Sequence, residues 1–168
     1  MRAIVSSVFA LLFLTYPAFA AGKAGLWIVT TTYQFGMKYL PPALVALARQ
    51  QGLKPPVSGQ PFTHHICMTE YEADGRQPLH LNSRDLDCDN RTVSFKGGRM
   101  VLESICHGPL EGVGRAQILW RGTDHFDGTY EFKGRSRGEP ARMSSSFTAD
   151  WQGQDCRGVR VFIPQNNN

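Results

Sequence analysis

Residues 112–151 read GVGRAQILWRGTDHFDGTYEFKGRSRGEPARMSSSFTADW. Along this stretch Gly114, Ala116, Ile118 and Trp120 alternate with Val113, Arg115, Gln117, Leu119 and Arg121. Phe126, Gly128, Tyr130 and Phe132 alternate with Asp127, Thr129, Glu131 and Lys133. Met143, Ser145, Phe147, Ala149 and Trp151 alternate with Arg142, Ser144, Ser146, Thr148 and Asp150. Successive side chains of a strand point to opposite faces, so each segment has one apolar and one polar side. Three such segments in a row read as antiparallel sheet with one face in water. Gly122-Thr123-Asp124 and Arg137-Gly138-Glu139-Pro140 supply the turns between them.

The same reading extends upstream. Residues 92–106 form a hairpin around Lys96-Gly97-Gly98-Arg99, followed by a turn at Gly108-Pro109. Residues 25–35 (GLWIVTTTYQF) are β-branched and aromatic, and read as a strand with Trp27, Val29, Thr31, Tyr33 and Phe35 on one face. Pro41-Pro42 at the start and Gly52 past the end punctuate a short helix over residues 41–51. Residues 60–69 make a second strand, 70–89 a helical turn followed by loop, 158–163 a last strand, and 165–168 a frayed tail. The short turns predict a meander. One helix cannot cover six or seven strands, so the sheet must curl upon itself. The expected fold is mostly β: an antiparallel meander curling into a half-barrel or lipocalin-like barrel with one short helix.

The chain has 168 residues, 19% of them charged, and a net charge of +4. This length allows one domain, and the composition excludes disordered, collagen-like and coiled-coil classes. So small a positive surplus gives no reason to expect a nucleic-acid partner. Residues 1–20 read as a secretory signal peptide. Arg2 gives the positive start, residues 3–14 an apolar run, and Ala18-Phe19-Ala20 the small residues before cleavage. A run of about 12 residues is too short for a transmembrane helix, which needs ~20. Residues 21–168 then form the single domain, with 148 residues and, without Arg2, a charge of +3. The chain is expected to be exported, with no transmembrane segment after cleavage.

All four cysteines, Cys67, Cys88, Cys106 and Cys156, lie beyond the cleavage site. An even count in an oxidising compartment reads as two disulfides. A three-residue loop over Lys96, Gly97 and Gly98 sets Phe95 opposite Arg99, and counting outward puts Cys88 opposite Cys106. Cross-strand neighbours are within disulfide reach, leaving Cys67 to pair with Cys156.

No catalytic, metal or cofactor site emerges. His64 and His65 point to opposite faces of a strand, so they cannot easily share an ion with Cys67. His107, and Asp124-His125, lack any accompanying nucleophile motif. Gly112-Val113-Gly114 opens a strand rather than a helix, so it cannot cradle phosphate as a helix N-terminus does. Asp85, Asp87 and Asp89 lack the glycine and closing glutamate of a calcium loop. Asn90-Arg91-Thr92 matches a glycosylation acceptor, a short pattern that carries little weight by itself. Lys133, Arg135, Arg137 and Arg142 flank one turn, where they read as a solvated hairpin end or a contact for anionic lipid or envelope polymer. Trp27, Tyr33, Tyr130, Phe132, Phe147 and Trp151 fall on inner faces, either as core or as the lining of an apolar ligand cavity. The function expected is that of an exported, non-catalytic binding or interaction module for an apolar or amphipathic small molecule. The alternative is a structural or partner-binding envelope component with a filled core.

Several short elements recur together along the chain: Gly25-Leu26-Trp27, Ile66-Cys67-Met68-Thr69, Cys106-His107-Gly108, Gly112-Val113-Gly114-Arg115-Ala116, Gly122, Asp124 and Gly128, and Gln154-Asp155-Cys156. In this order and spacing the chain resembles the domain of unknown function 3617 family, exported proteins of Gram-negative bacteria. Ile28 stands where that family usually has an acidic residue. The resemblance implies a periplasmic, cysteine-stapled β domain and carries no activity with it. Export predicts that the protein recovered from the periplasm of a Gram-negative host begins at Ala21, which N-terminal sequencing checks; an intact Met1 would refute cleavage.

Overall fold

The structure, a computed structural model, describes residues 22–77 and 87–159, with the side chains of Pro42, Ala43 and Asp87 left aside. The signal peptide expected over residues 1–20, the tail at 165–168 and all but two residues of the last expected strand lie outside this range.

Seven strands and two helices follow in chain order: β1 (Gly25–Gly36), α1 (Pro42–Gln50), β2 (Pro61–Met68), α2 (Glu70–Ala73), β3 (Asp87–Lys96), β4 (Arg99–His107), β5 (Leu110–Trp120), β6 (His125–Ser136) and β7 (Glu139–Gly153). They form one antiparallel sheet in the order β2-β1-β7-β6-β5-β4-β3. Strands β3 to β7 are the expected meander. The N-terminal pair adds at its far side, where β1 runs against β7 with Thr30 opposite Thr148 and Tyr33 opposite Ser145. Six of the seven pairings of a closed seven-stranded meander are therefore made, and only β2 with β3 is not. The sheet takes the open, curled form rather than a closed barrel.

Curling is visible in the core. Trp27 on β1 and Trp120 on β5 meet edge to face with ring centroids 5.6 Å apart. Three strand spacings of about 4.8 Å separate these strands along the sheet, so the apolar face must fold inward to bring the rings together. Phe126 joins both rings, at 5.1 and 4.8 Å. Val29, Met68, Ala73, Met100, Leu102, Ile118, Phe147 and Ala149 complete this cluster. At another part of the apolar face, α1 packs Leu44 and Ala48 against Tyr33 and Phe62.

What stops β2 from pairing with β3 is local. Thr69 and Glu72 form a reciprocal capping box at the start of α2: Thr69 Oγ1 accepts from the Glu72 N–H at 3.2 Å, and the Glu72 carboxylate accepts from the Thr69 N–H at 2.8 Å. The chain thus turns into a helix immediately after Met68. Ala73 enters the core, and Gly75 lies so close to the Phe95 ring of β3 that a Cβ there would come within 2.3 Å of it. The outer edge of β2 is covered as well. The Gln51 side-chain amide donates to the His65 carbonyl at 2.7 Å and accepts from its N–H at 2.9 Å, as a neighbouring strand would.

Cys88 and Cys106 are cross-strand partners joined by a disulfide, and a second disulfide joins Cys67 to Cys156. The hairpin differs from the expected one in two offsetting ways. Its loop has two residues, Gly97 and Gly98, both at positive φ, as a type I′ turn requires, so Lys96 rather than Phe95 faces Arg99. A bulge between Thr92 and Ser94 then shifts the register by one and returns Cys88 to Cys106. Loop-closure entropy ranks the two bridges, which span 89 and 18 residues. Replacing Cys67 and Cys156 by serine should cost about 4–5 kcal/mol, and Cys88 and Cys106 about 3 kcal/mol, in urea unfolding. A reversed ranking would contradict the loop-length argument.

Candidate functional site

The polar face of the sheet is composed unevenly. Registers across five pairings place Thr63, Thr30, Thr148, Asp127, Leu119 and Arg99 in one row. The next row holds Thr32, Ser146, Thr129, Gln117 and Val101. A solvent-facing sheet is ordinarily rich in Lys and Glu, but here the neighbouring positions Thr63, Thr30, Thr32, Ser144, Ser146, Thr148 and Thr129 all carry hydroxyls. Thr30 and Thr63 hydrogen-bond across strands at 3.0 Å. The sheet's twist makes it a saddle, and the polar face hollows into an open groove of about 510 Å³ over these rows. Thr30, Thr32, Thr129, Ser146, Thr148 and Gln117 line it, with Arg99 and Asp127 among the other lining residues. Asp127 is ion-paired with Arg121 outside the groove. Each hydroxyl can both donate and accept, so the surface suits a partner that offers many hydroxyl or amide groups. It supplies neither a nucleophile with its base nor a set of metal ligands.

The aromatic residues singled out from the sequence all lie on the opposite, apolar face. Trp27, Tyr33, Phe132 and Phe147 are buried. The Trp27 indole N–H donates to the Lys23 carbonyl at 2.9 Å. Tyr33 stacks on Phe35 with centroids 5.3 Å apart. Phe132 packs with Cys106, Leu110 and Ala141, and Phe147 meets Phe126 edge-on at 6.2 Å. Trp151 and Tyr130 are half-buried. The Trp151 indole N–H donates to the Ala24 carbonyl at 3.0 Å, and Lys23 sits 4.7 Å above its ring. Tyr130 lies over Gly114, where a Cβ would collide with its hydroxyl at 2.1 Å. Ser104 hydrogen-bonds the Tyr130 hydroxyl and donates in turn to Asn90 at 2.5 Å. Burial pushes both Tyr33 and Tyr130 up to about 12. The inner aromatics are thus tied to internal partners, and they are not drawn together into one site.

The described histidines are dispersed. His107 lies 3.6 Å from Asp89, and His125 Nδ1 lies 2.7 Å from Asp150. His64 is buried and stacked on Phe62, while His65 is exposed on the other face. Among the described residues, no three His, Cys, Asp or Glu side chains cluster as a metal site; Asp85 lies outside them. Asn90 Oδ1 accepts a hydrogen bond from Ser104 within the fold. The groove was missed because its Thr and Ser residues read one strand at a time as ordinary polar positions. The available signal was their concentration on two segments, residues 30–32 and 144–148, which become neighbours only through the β1–β7 pairing.

Fold and geometry define a small, disulfide-stapled antiparallel β domain with a filled inner face. Residues 22–156 match the family described as Protein of unknown function (DUF3617), and the chain belongs to that family. No curated protein and no solved structure matches it. Among the described residues no helix is long and apolar enough to cross a membrane.

One inner-face group has a measurable consequence. Burial, with His65 beside it, lowers the His64 pKa to about 4, and its Nδ1 has no hydrogen-bond partner. The unfolded chain takes up this proton near pH 6.5 and the folded one only near 4. Stability is therefore complete above about pH 6.5 and falls as pH drops through that window. Between pH 7 and 5 the wild type should lose about 2 kcal/mol more than His64→Phe, as read from urea midpoints. Parallel pH curves would refute the buried neutral imidazole.

Proposed function

We propose that the chain is exported to the periplasm and acts there as a non-catalytic binding module of the cell envelope. It meets a hydroxyl-rich envelope component along the groove of its polar face. The observation that carries this reading is the groove's lining: five hydroxyl side chains, Thr30, Thr32, Thr129, Ser146 and Thr148, on three adjacent strands. They repeat at the strand spacing of about 4.8 Å, close to the length of one sugar residue, so an extended glycan can hydrogen-bond successive strands in register. Dispersal of the described histidines and engagement of all four cysteines in disulfides support a non-catalytic role. The reading with an apolar or amphipathic ligand against Tyr33, Tyr130, Phe132 and Phe147 requires displacing aromatics that already pack together.

Amide NMR titration separates the two. Chitotetraose should shift Thr30, Thr32, Thr129, Ser146 and Thr148. A Thr32→Val and Ser146→Ala double variant should weaken binding by about fivefold to about 150-fold, as expected for two hydrogen bonds of about 0.5–1.5 kcal/mol each. Shifts at Tyr33, Tyr130 and Phe132 on adding lysophosphatidylcholine, with none at the groove on adding the saccharide, would overturn the proposal in favour of the inner face.

A further inference from the structure

One end of the polar face differs in character from the hydroxyl groove. The register there runs Gly36, Arg142, Lys133, Val113, Ile105 and Asp89. Lys133 and Arg142 are direct cross-strand partners. Like charges placed opposite each other destabilise a sheet. Arg135 and Arg137 extend the cluster through the β6–β7 turn, and Lys38 follows the end of β1 beside Arg142. Among the described residues none of these five cations forms an ion pair, although Glu111 faces Arg135 and Glu131 and Glu139 are near in the strands. Arg137 adopts a left-handed backbone, φ 52°, at the tip of the turn.

Apolar groups accompany the cations. Tyr39 is 40% exposed, with the Lys38 ammonium 5.3 Å and the Arg137 guanidinium 5.2 Å from its ring. Val113 beside Lys133 is 49% exposed, and Ile105 beside it 37%. Unpaired cations interleaved with an exposed tyrosine and two exposed aliphatics match a bilayer interface. Phosphate headgroups there take the cations, and the tyrosine settles at headgroup level. A soluble polyanion would satisfy the cations and leave the apolar groups without a role.

We propose that this end, built from Lys38, Tyr39, Val113, Lys133, Arg137 and Arg142, docks on an anionic lipid surface. The proposal does not depend on what the groove binds. Co-sedimentation of the mature chain with vesicles tests it. Vesicles of phosphatidylcholine containing phosphatidylglycerol should bind at least about tenfold more tightly than phosphatidylcholine alone, given several basic contacts of about 1 kcal/mol each. Binding should fall as salt rises. Lys133→Ser and Arg142→Ser should each weaken it about fivefold, and Tyr39→Ser should weaken it at constant charge. Thermal unfolding of each variant establishes that it is folded, and Thr32→Val in the groove should leave vesicle binding unchanged. Equal affinity for the two vesicle types would overturn the proposal. So would indifference to Lys133→Ser and Arg142→Ser, or retention on a polyphosphate resin without binding to phosphatidylglycerol vesicles.

Discussion

The pairing of β1 with β7 is the constraint on which the rest depends. It joins the first strand to the last and brings the N-terminal hairpin beside the meander. It sets Trp27 opposite Trp151 and Val29 opposite Ala149, which places the Trp27 indole inside the curl against Trp120 and Phe126. The Cys67–Cys156 bridge reinforces the same union from the neighbouring strand. Without this pairing β1 and β2 would be an isolated two-stranded hairpin, which is marginal in water. The meander would then expose the apolar face that Trp27 and Met68 cover. The polar face depends on it equally, since Thr30 and Thr32 meet Thr148 and Ser146 only across this seam.

Inner and outer faces divide the labour. Three apolar clusters occupy the inner face, each organised by an aromatic whose polar atom is accommodated or left dry. Trp27 and Trp151 donate to carbonyls just upstream of β1, and Tyr130 joins Ser104 and Asn90. By contrast the Trp120 indole N–H and His64 Nδ1 are buried without partners, costs that surrounding packing must offset. With the large side chains committed inward, the outer face is free to vary in composition without disturbing the core. It does so in lanes: hydroxyls over the groove, then charges that alternate through Glu131, Arg115, Glu103 and Arg91, then the basic end with its exposed aliphatics.

Much of this architecture was legible along the chain. Alternation at period two marks β5, β6 and β7 because each has one wet face, and Pro41-Pro42 with Gly52 brackets α1 because those residues start and stop helices. Cys88 opposite Cys106 is a subtler case. The register argument reaches the right pair through a loop one residue too long, and the bulge at Val93 removes the difference. A bulge leaves little trace in a β-branched, polar sequence, so compensation of that kind cannot be read in advance. The β1–β7 pairing is illegible for another reason. It joins segments about a hundred residues apart, and nothing in either strand's pattern names its neighbour. The groove inherits that limit, since its rows exist only once the strands are ordered.

The open seam between β2 and β3 follows from the same ordering. Closing the cylinder would have required β2 to pair on both sides, yet its outer edge is already met by Gln51 and its end is turned away by the Thr69–Glu72 cap. A closed seven-stranded cylinder would also have to accommodate Trp27, Trp120, Phe126 and Phe147 together with the turn that carries Ala73. Letting α2 stand in the seam gives those rings room, and Phe95 and Gly75 meet across it. The open edge is therefore a packing solution: the aromatic core determines how far the sheet can curl, and the helix fills the remaining gap. The outer face, continuous from β2 to β3, then carries its hydroxyl and basic lanes over this packed core.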